Sequence, residues 1–143
     1  MSAKQNSELI ELVETGSKFI RKWAVKPSII VPVPPTRTYR KLQPVARLAE
    51  ELGARLKILV AQDAIRKQKQ FAELKNVYDG EERRKLLEGA FVVNSSRVKG
   101  HRVLLVDDLY RSGATMNAIA DVLLSSGATA VFAFAFTQTR SRA

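Results

Sequence analysis

The stretch Val103-Leu-Leu-Val-Asp-Asp-Leu-Tyr-Arg-Ser-Gly-Ala-Thr115 decides how the rest of the chain reads. A branched apolar run ends in two adjacent carboxylates, and a short Arg-Ser-Gly-Ala-Thr turn opens onto a helical pattern. A run this short and this apolar predicts a strand buried on both faces, as in parallel sheets. Ligands of such sheets bind outside the carboxyl ends of the strands. Asp107 and Asp108 therefore fall on the rim of a crevice, placed to hold hydroxyls or a metal ion. Ser112, Gly113 and Thr115 follow at a helix N-terminus, where free N–H groups and the helix dipole favour a phosphate. Gly113 lets the backbone close on a ligand at little conformational cost. A diol grip beside a phosphate cradle describes a ribose 5-phosphate site. A plain strand-to-helix turn with Ser112 as N-cap would require neither the acid pair nor the later Thr.

Working outward, residues 113–125 form the helix that follows, with Met116, Ile119, Ala120 and Leu123 at helical spacing and Gly127 closing it. Residues 129–136 read as a last strand, and 137–143 as a loose tail. Upstream, residues 7–24 have the spacing of an amphipathic helix (Leu9, Leu12, Val13, Ile20, Trp23), ended by Pro27. Residues 28–32 form a short strand with a stiff proline exit. Residues 42–52 are helical and stop at Gly53, and residues 56–61 give a second buried strand. Apolar character resumes at residues 90–93, and Gly100 turns the chain into the strand at 102–107. Strands alternating with helices predict an α/β fold: an open, mainly parallel sheet flanked by helices. Four parallel strands are expected, with residues 90–93 as an added one. Trp23, Met116, Phe132, Phe134 and Phe136 read as core. His101 sits at the wrong end of its strand and reads as surface.

The stretch resembles the phosphoribosyl pyrophosphate (PRPP) motif of type I phosphoribosyltransferases: apolar strand, two acids, three variable residues, then Thr or Ser, Gly, any residue, and Thr. The resemblance implies that Asp107 and Asp108 contact the ribose 2′- and 3′-hydroxyls and serve catalysis. It implies that Arg111, Ser112, Gly113, Ala114 and Thr115 wrap the 5′-phosphate. Arg111 departs from the family pattern. Several purine-specific members carry an Asp there, and an Arg cannot accept a proton in its place. The resemblance also assigns pyrophosphate to the loop after the first strand. Pro34 and Pro35 have no N–H to offer, so Thr36, Arg37 and Thr38 become the donors, with the Arg37 guanidinium shaped for a bidentate grip. Residues 64–89 lie where the family carries a mobile hood, from which Lys67, Lys69 and Lys75 would reach the pyrophosphate on closure. A solvated helical hairpin fits the same segment, because residues 81–87 are good helix formers.

The order of segments, from Ile30-Val-Pro-Val-Pro34 through Leu86-Leu-Glu-Gly-Ala-Phe91 to the motif, resembles the ComF-like branch of that family over residues 28–136. The resemblance implies a PRPP-dependent transfer of 5-phosphoribosyl to or from a nitrogen nucleophile. Mg²⁺ would be held mainly by PRPP, with Asp107 or Asp108 acting through water, and a homodimer is the expected assembly. Two other classes fit the same residues: a PRPP- or nucleotide-binding regulator without turnover, and a DNA-uptake accessory protein.

The chain has 143 residues, 45% of them hydrophobic, which suits one domain over residues 1–143. It has no cysteine. That excludes disulfides, thiolate nucleophiles and the zinc ribbon many ComF-type chains carry. No apolar run approaches the roughly 20 residues of a membrane span, and the first residues lack a signal-peptide core. A cytoplasmic protein without membrane contact is expected. Net charge is +10, and between Glu14 and Glu50 lie eight basic residues and no acid. That balance suits a polyanion, either nucleic acid bound without sequence preference or a phosphate-rich small molecule.

Overall fold

A computed structural model describes residues 3–34, 44–68, 80–107 and 113–135. Its centre is β5 (Arg102–Asp107), fully buried from Val103 to Val106. The strand pairs in parallel with β1 (Ile29–Pro32) on one side, with Ile29 opposite Val103 and Pro32 opposite Val106. On the other side it pairs in parallel with β6 (Ala130–Ala135), with Asp107 opposite Ala135. The short β2 (Leu59–Val60) adds to β1, giving a four-stranded parallel sheet in the order β2-β1-β5-β6. Pro32 costs the sheet little, because β2 ends before reaching it.

Side chains alternate across this sheet, as a pleated strand requires. Ile30, Leu104 and Val106 face α1 (Ala3–Arg21) and α2 (Pro44–Leu56), where Leu9, Val13, Ile20, Leu48 and Leu52 close one core. Ile29, Val31, Val103 and Leu105 face the opposite way, against Ile119 and Leu123 of α5 (Gly113–Ser125). The same layer holds α3 (Gly80–Gly89), packed against α5, and the single turn α4 (Ser95–Val98), which contributes Val98.

Several expected boundaries are corrected. Helix α2 does not stop at Gly53 but continues to Leu56. Lys57 then takes a left-handed φ of 56°, and the Ile58 N–H donates to the Gly53 carbonyl at 3.0 Å, a Schellman closure. Gly53 is needed for closeness instead: a Cβ there would lie 2.4 Å from Val60 Cγ2. The strand expected at 56–61 shrinks to two residues, with Leu59 65% exposed, because Leu56 ends the helix and Lys57 and Ile58 close it. Helix α1 ends at Arg21, well before Pro27. Residues 90–93 do not join the parallel sheet. Their strand, β4 (Phe91–Val93), pairs antiparallel with β3 (Ile65–Lys67) as a separate ribbon. Helix α5 spans the residues expected of it, and the Ala128 N–H closes it onto the Leu123 carbonyl, with Gly127 at φ 106°. The tail at 137–143 and Phe136 lie outside the described residues.

Candidate functional site

Strand β1 leads through α2 to β2 on one side, whereas β5 leads through α5 to β6 on the other. The two connections diverge between the carboxyl ends of β1 and β5, and such a switch point is where open α/β sheets leave a crevice. The two strands stay together to the last residue, with the Val33 N–H donating to the Val106 carbonyl at 2.8 Å. Val33 is buried beneath the rim and Pro34 is half-buried on it.

Asp107 is the last residue of β5, at the switch point and half-buried, and strand alternation puts it on the α5 face with Val103 and Leu105. Asp108, Arg111 and Ser112 lie outside the described residues. Gly113, Ala114 and Thr115 form the first turn of α5, where backbone N–H groups have no partner within the helix. That turn contains no acid of its own, so nothing in it offsets the positive end of the helix dipole. Thr36, Arg37, Thr38, Lys69 and Lys75 also fall outside the described residues; Pro34, the last described residue before the first three, lies beside the crevice.

Lys67 is described, and it is a strand residue rather than a loop residue. It stands opposite Phe91 in the β3–β4 ribbon, and the following Gln68 N–H donates to the Ala90 carbonyl at 2.6 Å. Partial burial lowers its ammonium pKa from the ordinary 10.5. The segment expected as a hood is thus regular at both ends, a strand at 65–67 and a helix at 80–89, with 69–79 outside the described residues. Residues 90–93 read as a strand from their apolar run, but β3 is too short to show alternation in sequence, so the pairing of the two emerges only in the fold.

His101 needs a correction too. It is half-buried, and its Nδ1 shares a hydrogen bond of 3.0 Å with Ser28 Oγ. This pair ties the starts of β1 and β5 together at the end of the sheet away from the crevice. Only its neighbours across the sheet, not its sequence context, reveal that role.

Mg²⁺ takes oxygen ligands and keeps several waters. Asp107 offers a hard oxygen donor of that kind, and among the described residues no three acidic or imidazole side chains gather into a cage of their own. A single carboxylate such as Asp107 fits an ion whose remaining ligands are water or other oxygen donors.

The sheet order, the parallel pairing and the switch-point crevice define a doubly wound α/β domain. A family model for the phosphoribosyl transferase domain matches residues 20–142, and the chain belongs to that family. Among solved structures, it is similar to the glutamine PRPP amidotransferase of B. subtilis (17% identity, TM-score 0.55), covering 89% of this chain and 26% of that one. It is also similar to adenine phosphoribosyltransferase of Leishmania donovani, at 15% identity and TM-score 0.58 over 89% of this chain and 51% of that one. A purine phosphoribosyltransferase of Pyrococcus horikoshii matches at 17% identity and TM-score 0.51, over 100% and 80% of the two chains. The chain therefore spans about a quarter of the first and about half of the second. At such identities the likeness defines the fold. A search among curated protein sequences finds none similar to this chain.

Proposed function

We propose that this chain is a PRPP-dependent phosphoribosyltransferase that moves a 5-phosphoribosyl group to, or from, a nitrogen nucleophile. In the forward direction the bond from the anomeric carbon to pyrophosphate breaks, a carbon–nitrogen bond forms, and the nitrogen gives up its proton. The observation that carries this reading is the PRPP-motif strand lying at the switch point with Asp107 at its carboxyl end. Asp107 and Asp108 would hold the ribose hydroxyls. Arg111 to Thr115 would enclose the 5′-phosphate, and Thr36, Arg37 and Thr38 would bind pyrophosphate. Lys67, Lys69 and Lys75 would approach from the segment above. Bound Mg²⁺ would neutralise charge on the pyrophosphate.

Such a transfer needs positioning and water exclusion more than a protein nucleophile, which suits a chain with no cysteine. The segment order supports a ComF-like member of the family, and Arg111 disfavours purine chemistry that depends on an acid at that position. A cytoplasmic setting accords with the missing cysteines, and among the described residues no helix is long and apolar enough to cross a membrane.

The test is pyrophosphate release from PRPP and Mg²⁺ with a panel of nitrogen bases. Turnover with at least one base is expected, and Asp108→Asn should reduce it while leaving the thermal midpoint in place. Binding of PRPP without turnover on any base would replace the transferase by a regulator, the reading that Arg111 and the proline-rich first loop would then support.

A further inference from the structure

The end of the sheet opposite the crevice is basic. Because the strands are parallel, the segments leading into them, residues 22–28, 57–58, 99–101 and 126–129, gather at one end. Those segments contain Lys22, Lys26, Lys57 and Lys99 and no Asp or Glu. Arg102 opens β5 beside them, and Arg21 ends α1. All six cations are exposed, and among the described residues none of them pairs with a carboxylate. Nearby Arg55 and Arg97, by contrast, have Glu14 at 3.5 Å and Asp63 at 3.1 Å.

Three of the six are fixed by neutral partners. Arg21 Nη2 donates to the Arg55 carbonyl at 2.8 Å, and Lys26 Nζ to the Trp23 carbonyl at 3.0 Å. Arg102 Nε donates to the Lys26 carbonyl at 2.6 Å. Capping of helix ends accounts for where Arg21 and Lys26 sit, but a carbonyl leaves the formal charge in place. Lys22, Lys57 and Lys99 follow the last residues of α1, α2 and α4, where the helix dipole favours a cation, but among the described residues their ammonium groups make no hydrogen bond that would fix them there. Lys57 even occupies the left-handed position ending α2, where glycine would be the relaxed choice.

The sheet order places Lys57, Lys26 and Arg102 in succession at the starts of β2, β1 and β5. Neighbouring strands lie about 4.8 Å apart, so the charges form an open row rather than a closed pocket. An open row of partly fixed cations suits a chain of phosphates better than a single small anion. We propose that this end face binds the nucleic-acid backbone without sequence preference, on the side of the sheet away from the PRPP crevice.

The experiment is fluorescence anisotropy of the full chain with a labelled single-stranded oligothymidylate of about 20 nucleotides, across a salt series. Each phosphate contact contributes about 0.7 to the slope of log affinity against log salt. The double variant Lys57→Gln/Lys99→Gln should therefore lower that slope by about 1.4, and the affinity at about 0.1 M salt by about 20-fold. Gln keeps the Cγ with which Lys99 packs over Gly127. The control Arg66→Gln/Lys85→Gln removes the same charge from exposed sites elsewhere and should change the slope little. Excess PRPP should leave binding unchanged. Equal losses in the two double variants would reduce the effect to net charge and overturn the proposal. Competition by PRPP would move the oligonucleotide into the crevice and overturn it too. Binding to phosphatidylserine-containing vesicles that weakens in Lys57→Gln/Lys99→Gln, with no binding of the oligonucleotide, would give the face to a membrane and overturn it as well.

Discussion

A methyl group added at Gly53 would sit 2.4 Å from Val60 Cγ2 and 2.9 Å from the Ile58 carbonyl oxygen. The valine can turn, but the carbonyl belongs to the backbone that closes the helix. Overpacking of this kind costs about 1–3 kcal/mol, partly offset by the roughly 1 kcal/mol that alanine gains over glycine inside a helix. Because the Ile58 carbonyl cannot turn aside, the upper part of that range, about 2–3 kcal/mol, applies, and Gly53→Ala should lower stability by about 1–2 kcal/mol, read as an earlier urea midpoint with an unchanged slope. A variant as stable as the parent would show that α2 stands further from β2 than described. Reading Gly53 as a helix stop is the natural inference from sequence, since glycine ends many helices. Only the neighbouring strand, invisible in local sequence, shows why a glycine is required in mid-helix. His101 teaches the same lesson: its hydrogen bond to Ser28 spans 73 positions of the chain.

Elements are legible in proportion to the burial that repeats along them. Strand β5 and helix α5 have the boundaries their sequence predicts, because four consecutive buried aliphatics and a helical apolar stripe leave little choice. Strand β2 is shorter than its apolar run, since Leu56, Ile58, Leu59 and Val60 are apolar whether they finish a helix or run along an edge. The β3–β4 ribbon leaves no periodic trace because each strand is three residues long. The same scale separates large effects from small ones. Leu104 is fully buried in the central strand, so Leu104→Ala should cost about 2–5 kcal/mol. Glu14 pairs with Arg55 at 3.5 Å while more than half exposed, and Glu14→Gln should cost less than about 1 kcal/mol. Chemical denaturation distinguishes them, and a larger loss for Glu14→Gln would reverse the assignment of what holds α1 and the sheet together.

At the scale of the whole molecule, the chain divides its work between the two ends of one sheet. At the carboxyl end, the connections leaving β1 and β5 run in opposite directions and open a crevice bearing Asp107 and the first turn of α5. At the amino end, parallel strands bring together cations that lie far apart in sequence. The motif at residues 103–115 locates the first end from sequence, because its strand, acids and turn are contiguous. The second shows there as a net charge of +10 and an acid-free basic stretch between Glu14 and Glu50 that holds Arg21, Lys22 and Lys26, while Lys57, Lys99 and Arg102 join them through topology alone. The central claim is that the crevice clasps a sugar phosphate. Isothermal titration of PRPP with Mg²⁺ into the parent and Thr115→Ala tests it most directly. A hydrogen bond to a charged group contributes about 1.5–3 kcal/mol, so Thr115→Ala should bind roughly ten- to a hundred-fold more weakly, with folding intact. Equal affinity in the two proteins, or no binding by the parent, would contradict the account.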